Sequence, residues 1–451
     1  MVSLHKESKK NMELITNTET SDIAQQLLVE AQTESNEILD STSQTNQMRK
    51  FMRIFSGQAF SLVGSALVQF SLVWWLTVTT GSATVLIMAT MMAILPQIVI
   101  SPFVGPLIDR WSRRKVMIAS DGLSAIMIIG LATLWWQGIV DVLHIFLIMA
   151  IRSALASFQW PALQASASLM VPKKNLSRVN GMYQALTGLA KIAAPPLGAL
   201  LLVFLPIQAI LMIDVGTAAL AILPLILIQI PQPSVKLKEG STVSGILSEM
   251  MEGFSYMKNW VAGKYVTVAL MMTNFILAPT FSLTPLLVMV HFAGGAIELA
   301  WMESMMGVGM VAGGVALGIW GGFRRRMLTA IVALIFASGG VFVLGLAPQS
   351  LIAIAIGGIF IAGFMIPMAS GSLMAVIQAV VPHELQGRVF TVLMSLGPAM
   401  APFGLIVAGG IVELFGIQSW FILGGIGLAL VGILGSLVPN ILKVGEVKDD
   451  Q

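Results

Sequence analysis

The chain has 451 residues, of which 56% are hydrophobic and only 10% charged, whereas an ordinary soluble domain carries about 25% charged residues. This balance predicts an integral membrane protein. There is no cysteine, which excludes disulfides, thiolate metal sites and thiol nucleophiles, and the four histidines are scattered. We therefore expect no metal and no cofactor. The net charge of +3 does not indicate a nucleic-acid partner, because the cations follow the membrane topology described below.

Residues 1–47 are polar and acidic, and they lack the basic region and apolar stretch of a secretory signal. Their content of Thr, Ser, Gln and Glu predicts a disordered cytoplasmic extension. The alternative is a weakly amphipathic helix over residues 21–40 with an accessory binding role.

Twelve apolar segments follow, each long enough to cross a bilayer, which takes about 20 residues. Lipid leaves no partner for unpaired backbone groups, so the segments are predicted to be helices, whereas barrel strands would be short and alternating. The expected fold class is an all-α membrane protein of the twelve-helix kind. The predicted spans are 54–78, 83–107, 116–136, 142–170, 179–204, 208–230, 265–290, 299–320, 327–346, 350–380, 389–411 and 418–440.

The basic residues predict the orientation of these spans. Of the 25 Lys and Arg residues, only Arg152 and Lys191 fall inside spans. The others lie in the N-terminal region, the even-numbered connections or the C-terminal tail. The odd-numbered connections carry acidic residues instead, at Asp141, Glu298 and Glu413. By the positive-inside rule, both termini and the even-numbered connections are predicted to be cytoplasmic.

The longest internal connection divides the spans six and six. Its residues Phe254 and Met257, with Ile246 and Met250 before them, have helical spacing, which predicts a helix on the membrane surface or against the cytoplasmic helix ends. The predicted organisation is an extension at 1–47, a six-helix bundle at 48–230, a linker at 231–264, a second six-helix bundle at 265–441 and a tail at 442–451.

An internal repeat supports this division. Val-Pro and Arg-Val recur in residues 171–179 and 381–389, at an offset of 210 residues. The same offset carries Arg114 and Lys115 onto Arg324 and Arg325. Two parallel six-helix repeats are an architecture of secondary transporters.

The connection after span two reads GPLIDRWSRRK, from Gly105 to Lys115. It resembles the cytoplasmic signature of the major facilitator superfamily, Gly-x-Leu-x-Asp-Arg-x-Gly-Arg-Arg/Lys, with Ser at position 112 in place of Gly. The resemblance implies that this stretch is a gate latch, stabilising the outward-open state. The alternative is a set of cations that fix topology beside a turn. The residues assigned to the gate are Gly105, Asp109, Arg110 and Arg113, with Arg388 from the repeated connection.

Span five carries Gly181, Pro195 and Gly198 at the spacings of the antiporter signature of drug exporters, with Ala at three of its Gly positions. The resemblance implies export by antiport, and close packing of small residues is the alternative. Across residues 49–440 the chain is similar to the macrolide-efflux branch of drug:proton antiporters. Siderophore exporters and lysophospholipid transporters share much of the pattern.

Five charged residues lie inside predicted spans, where each costs about 2.5 to 3.5 kcal/mol to insert and therefore needs a partner or water. Helix geometry and snorkelling favour a pair between Lys191 and Asp214. Arg152 is then expected to face the cavity. Asp121 is expected to pair with Lys115 at the cytoplasmic edge.

A proton-coupled exporter needs a carboxylate that alternates between protonated and ionised forms. Glu303 is the first choice, with Asp214 second, and a permanently neutral Glu303 is the alternative.

The cargo site of such a transporter is expected near the midplane between the halves. Spans one, four, seven and ten line the cavity in this family, which implies cavity roles for Gln58, Gln69, Gln159, Asn274 and Gln378, with Arg152.

Other function classes fit the sequence less well. No Gly-x-x-x-x-Gly-Lys-Ser/Thr loop occurs, and the spans carry no residue set typical of an enzyme, so we expect neither ATP hydrolysis nor catalysis. A channel or a non-transporting sensor stays open as an alternative. The predicted function is efflux of a small hydrophobic drug, such as a macrolide, in exchange for protons, by a monomer surrounded by lipid in a bacterial inner membrane.

Overall fold

The structure is a computed structural model that describes residues 46–172, 175–231, 251–252, 254–438 and 441; within them, the side chains of 102, 105, 106, 109, 110, 177 and 383 lie outside the description. Twelve helices in this part of the chain are long and apolar enough to cross a membrane. We number them α1 Asn46–Thr80, α2 Ala83–Arg110, α3 Arg113–Trp136, α4 Val142–Met170, α5 Leu176–Phe204, α6 Ile207–Leu227, α7 Val261–Leu286 with a π-helical turn Leu287–His291, α8 Ala296–Trp320, α9 Arg326–Leu346, α10 Ile352–Val380, α11 His383–Ala399 and Ala401–Phe415, and α12 Ile417–Leu437.

The predicted count of spans and the all-α class are confirmed, and the helix ends differ from the prediction in one consistent way. Helices that leave an even-numbered connection begin before the predicted span and take in polar residues that hydropathy assigns to the loop, such as Arg113 of α3 and Arg326 of α9. These residues are helical because backbone hydrogen bonding continues beyond the apolar stretch. In α11 the helix is interrupted at Met400, between Pro398 and Pro402. Proline has no amide hydrogen, so neither proline can donate the backbone hydrogen bond that would continue the helix.

Hydrophobic packing joins the two halves at one end of the bundle, the end that carries the odd-numbered connections. The largest buried cluster there combines Leu76 and Leu86 of the first half with Leu286, Val288 and others of the second half. At the opposite end, one cluster is built from first-half residues and another from second-half residues. In the described part of the chain, hydrophobic packing therefore closes the odd-connection end and leaves each half with its own core at the even-connection end.

Two arginines form matching contacts in the two halves. Arg113, the first residue of α3, donates from Nη1 to the carbonyl of Ala165 on α4 at 2.9 Å. Arg326, the first residue of α9, donates from Nη1 to the carbonyl of Ala375 on α10 at 3.2 Å. The two acceptors lie 210 residues apart, as in the sequence repeat, whereas the two donors lie 213 residues apart. The structural counterpart of Arg113 is therefore Arg326, three residues beyond the position that the sequence offset indicates.

The linker is described only near its end. Ile246 and Met250, which belong to the helix predicted there, lie outside the described residues. Residues 254–259 are helical, with Met257 buried beside Val266 and Val389 and Phe254 exposed. Met257 thus packs against the even-connection ends of the second half.

Candidate functional site

A cavity of about 770 Å³, the central cavity, lies between the two halves. Residues of α1, α2 and α5 line it from the first half, and residues of α7, α8, α10 and α11 from the second half. Most of the lining is apolar, including Phe70, Phe281 and Met306. An interface cavity of this size and character suits a drug-sized hydrophobic molecule.

Lys191 and Glu303 both line the central cavity and lie on packed helices from opposite halves. The hydroxyl of Ser304, next to Glu303 on α8, donates to the carbonyl of Ile192 on α5 at 2.9 Å. Within the described residues, neither Lys191 nor Glu303 forms a hydrogen bond or an ion pair within 4 Å. The cavity therefore holds a cation and a carboxylate that remain available to a ligand or to each other.

Asp214 pairs with Arg152, so the predicted pairing of Asp214 with Lys191 is wrong. Asp214 Oδ2 lies 2.8 Å from Arg152 Nη1, and Ser65 joins both, accepting from Arg152 Nη2 at 2.9 Å and donating to Asp214 Oδ1 at 3.2 Å. Gly64 permits this arrangement, because a Cβ at that position would collide with Thr217 of α6. The rotation of α4 and α6 brings Arg152 and Asp214 together, and Lys191 faces the central cavity instead.

A second cavity, of about 430 Å³, lies within the first half and is lined by residues of α1 to α5. We refer to it as the N-terminal cavity. On one side of it, the carboxylate of Asp121 accepts hydrogen bonds from Gln58 Nε2 at 2.8 Å and Gln159 Nε2 at 2.6 Å, and the two amides also contact each other. The predicted pair between Asp121 and Lys115 is wrong: α3 carries Asp121 into the protein, where the side chain is 4% exposed, whereas Lys115 is exposed at the helix start.

The structure brings most of the predicted cavity residues to one of the two cavities. Gln58 and Gln159 line the N-terminal cavity, Asn274 lines the central cavity, and Gln69 lines both. Gln378 lines neither cavity. It is exposed near the end of α10, where its carbonyl accepts a hydrogen bond from Gln386. The assignment of Gln378 is therefore wrong, because it lies too near the even-connection end of α10 to reach the midplane.

The residues predicted on the antiporter helix have different surroundings. Pro195 lines the central cavity, and a Cβ on Gly198 would lie 2.7 Å from the ring of Phe70 on α1. A Cβ on Gly181 would meet no atom within 4 Å. Of the three, Gly198 is the one where a small residue is required by a neighbouring helix in this structure.

The predicted gate residues are only partly described. The backbone of Gly105, Asp109 and Arg110 belongs to α2, and their side chains lie outside the description, so their role stays a prediction. Arg113 is buried and donates to Ala165, as described above. Arg388 lies on α11 in the second half and pairs with Glu252 of the linker at 2.6 Å.

Two hydroxyl residues that sequence reasoning missed connect the halves at the odd-connection end. Thr90 of α2 and Ser282 of α7 lie 2.6 Å apart, Oγ1 to Oγ, and Ser282 also donates to the carbonyl of Leu86 at 3.1 Å. The sequence carried no signal for this contact. Most Ser and Thr side chains in the spans bond their own helix, as Ser71 and Thr77 do.

Comparison with known proteins gives a consistent result. The model of the Major Facilitator Superfamily matches residues 54–402. Macrolide efflux protein A of Streptococcus pyogenes is 32% identical over 400 residues, covering 88% of this chain and 98% of that protein. Multidrug efflux pump Tap of Mycolicibacterium fortuitum is 25% identical over 385 residues, covering 82% and 91%.

Solved structures share the fold at much lower identity. The nucleoside transporter NupG superposes with a TM-score of 0.63 at 12% identity, covering 88% of this chain and 100% of that chain. A POT family transporter in complex with 5-aminolevulinic acid superposes with a TM-score of 0.66 at 11% identity, covering 87% and 96%. Twelve helices, a cavity between two halves, and a family match over most of the length agree: the chain belongs to the Major Facilitator Superfamily.

Proposed function

We propose that this chain is a proton-coupled exporter of small hydrophobic drugs, such as macrolides, that works by alternating access. The observation that carries the proposal is the central cavity, which is largely apolar yet contains Glu303 and Lys191 at the contact between α5 and α8. The similarity to macrolide efflux protein A supports the cargo, and the similarity to the Tap pump supports export of more than one compound.

Glu303 is the carboxylate to which we assign proton coupling. An ionised carboxylate in an apolar cavity is costly, so closing the cavity around Glu303 favours the protonated form, and opening it to water favours the ionised form. Asp214 is less suited to this role because it is paired with Arg152 at 2.8 Å and does not line the central cavity. In this scheme, drug and proton occupy the central cavity in alternation, and Lys191 stabilises Glu303 while it is ionised.

In this proposal the even-numbered connections are cytoplasmic, as the positive-inside rule predicts. With hydrophobic packing at the odd-connection end, the structure then corresponds to a state closed toward the outside. The gate predicted around Asp109, Arg110 and Arg113 would close the cytoplasmic end in the alternate state. Each chain contains both halves and both cavities, so a monomer surrounded by lipid is sufficient for the cycle.

The proposal is tested by measuring accumulation of a labelled macrolide in an efflux-deficient bacterial host at several external pH values between roughly 6 and 8, with and without a protonophore. We expect the chain to lower accumulation and the protonophore to reverse this. Glu303→Gln should abolish the dependence on the proton gradient. The control is Glu413→Gln, which neutralises an exposed carboxylate at the end of α11.

Wild-type accumulation equal to that of an empty vector, with the protein present in the membrane, would contradict macrolide export. Labelled lysophospholipid and siderophore then become the cargo to test. A Glu303→Gln variant that exports with unchanged pH dependence would contradict the coupling role and leave the export proposal standing.

A further inference from the structure

The N-terminal cavity has a lining different from that of the central cavity, because amide and hydroxyl side chains predominate among its polar groups. Gln69, Gln97, Ser120 and Ser124 all face it. Within the described residues, the side chains of these four form no hydrogen bond. Uncharged donors and acceptors in such a cavity need partners, which only water or a ligand can provide.

The charged groups around the same cavity are already satisfied within the protein. Arg152 is paired with Asp214, and Asp121 accepts from two glutamine amides. An ionic ligand would therefore have to displace an existing partner. A neutral ligand rich in hydroxyl groups would use the unpartnered side chains without doing so.

An aromatic wall completes the cavity. The rings of Trp160 and Tyr183 stack, with centroids 3.4 Å apart and an angle of 19° between planes, and both residues line the cavity. A sugar ring presents an apolar C–H face and a rim of hydroxyls, which match an aromatic face beside planar amides. A volume of about 430 Å³ accommodates a single hexose ring.

Gln69 of α1 lines both cavities, so the two are neighbours across one side chain. We infer that the N-terminal cavity binds a neutral polyhydroxylated group, the sugar of a glycosylated substrate, while the apolar body of that substrate occupies the central cavity. The second half of this statement rests on the proposed function. The first half rests on the lining of the N-terminal cavity alone.

The test is equilibrium binding to the full chain in lipid nanodiscs, which does not require transport. Two matched ligand pairs are compared: a macrolide with and without its sugar, and an aryl glycoside with and without its sugar. A free monosaccharide is added as a competitor, to separate a sugar on a substrate from a sugar alone. The variants are Gln97→Leu and Ser124→Ala, which remove unpartnered groups. The control is Ser101→Ala, one helical turn beyond Gln97 and exposed outside both cavities.

We expect each glycoside to bind the wild type more tightly than its aglycone, and each variant to weaken glycoside binding roughly 3- to 10-fold with no matching change for the aglycone. The Ser101→Ala control should leave both unchanged. Equal binding of glycoside and aglycone in both pairs, or variants that weaken both ligands equally, would overturn the inference. Displacement of the glycoside by the monosaccharide alone would support the first half of the statement, because it would show that the sugar binds without an attached apolar body.

The two proposals fail separately. A preference for the aryl glycoside, together with a macrolide that is not exported from cells, would retain the sugar site and reject the macrolide as cargo. Export of the macrolide and its aglycone at equal rates, with equal affinities, would retain drug efflux and reject the sugar site.

Discussion

Two buried carboxylates in the first half are satisfied by different chemistry. Asp214 accepts from an arginine and a serine, and Asp121 accepts from two glutamine amides. The difference matters for stability. Removing one member of a buried ion pair leaves the other charge without a counterion, whereas removing one of the two glutamine amides leaves Asp121 with the other amide as a donor.

Asp214→Asn should therefore destabilise the protein strongly, by about 3 kcal/mol, because Arg152 would keep its charge without a counterion. Replacing both partners, as in Arg152→Met with Asp214→Leu, should restore much of the loss. Thermal unfolding of the purified variants measures both effects. Lys191→Met is the comparison, since Lys191 faces the central cavity unpaired in the described structure and its loss should change stability little.

The result separates the observed pairing from the one that sequence reasoning favoured. If Lys191→Met destabilised the protein as much as Asp214→Asn, the pairing of Arg152 with Asp214 would not describe the folded state. Sequence alone could identify the charged residues in the spans, because hydropathy shows which residues are out of place. It could not pair them, because the pairing depends on the rotation of α4, α5 and α6 about their axes.

At the scale of the helices, close packing depends on glycines that adjoin a neighbouring backbone. A Cβ on Gly313 of α8 would collide with the carbonyl oxygen of Phe364 on α10. The next residue, Gly314, would meet no atom within 4 Å. Both glycines lie at nearly the same depth on α8, and they differ in that Gly313 faces α10 whereas Gly314 does not.

Gly313→Ala should lower stability by about 1 to 3 kcal/mol, because the added methyl forces α8 and α10 apart. Gly314→Ala should be neutral or slightly stabilising, since Ala is the better helix former. Unfolding temperatures of the two variants, measured side by side in the same detergent, test the contrast. Equal shifts for both variants would show that α8 and α10 do not pack as described.

The sequence predicted the helices well and their ends less well. Spans are predictable because about 20 apolar residues in lipid have no alternative to helix. The break at Met400 was not predicted, because Pro398 and Pro402 lie in an apolar stretch that reads as one span. The cavity residues were predicted from the helices that line the cavity in the family, and Gln378 does not line a cavity because it lies near the end of α10.

At the scale of the whole molecule, the halves are joined at the odd-connection end by the contact between Thr90 and Ser282. The chain has no cysteine, so a pair introduced at these positions would be the sole pair of thiols. Thr90→Cys with Ser282→Cys should form a disulfide under mild oxidation, because the two side-chain oxygens lie 2.6 Å apart. The crosslink should stop transport, and a reductant should restore it.

Each single cysteine variant serves as the control and should transport with or without oxidant. Transport that continues in the crosslinked protein would contradict alternating access through this end. Failure to crosslink, with both thiols reactive toward maleimide, would show that the closed end is not populated in the membrane.

The matching contacts of Arg113 and Arg326 show that the two halves repeat one local arrangement. The acceptors on α4 and α10 lie 210 residues apart, as in the sequence repeat, while the donors on α3 and α9 lie 213 residues apart. Each half therefore joins its third and fourth helices through an arginine bonded to a backbone carbonyl, although the sequence repeat does not align the two arginines, so an alignment of the halves by sequence alone would pair Arg113 with the wrong residue.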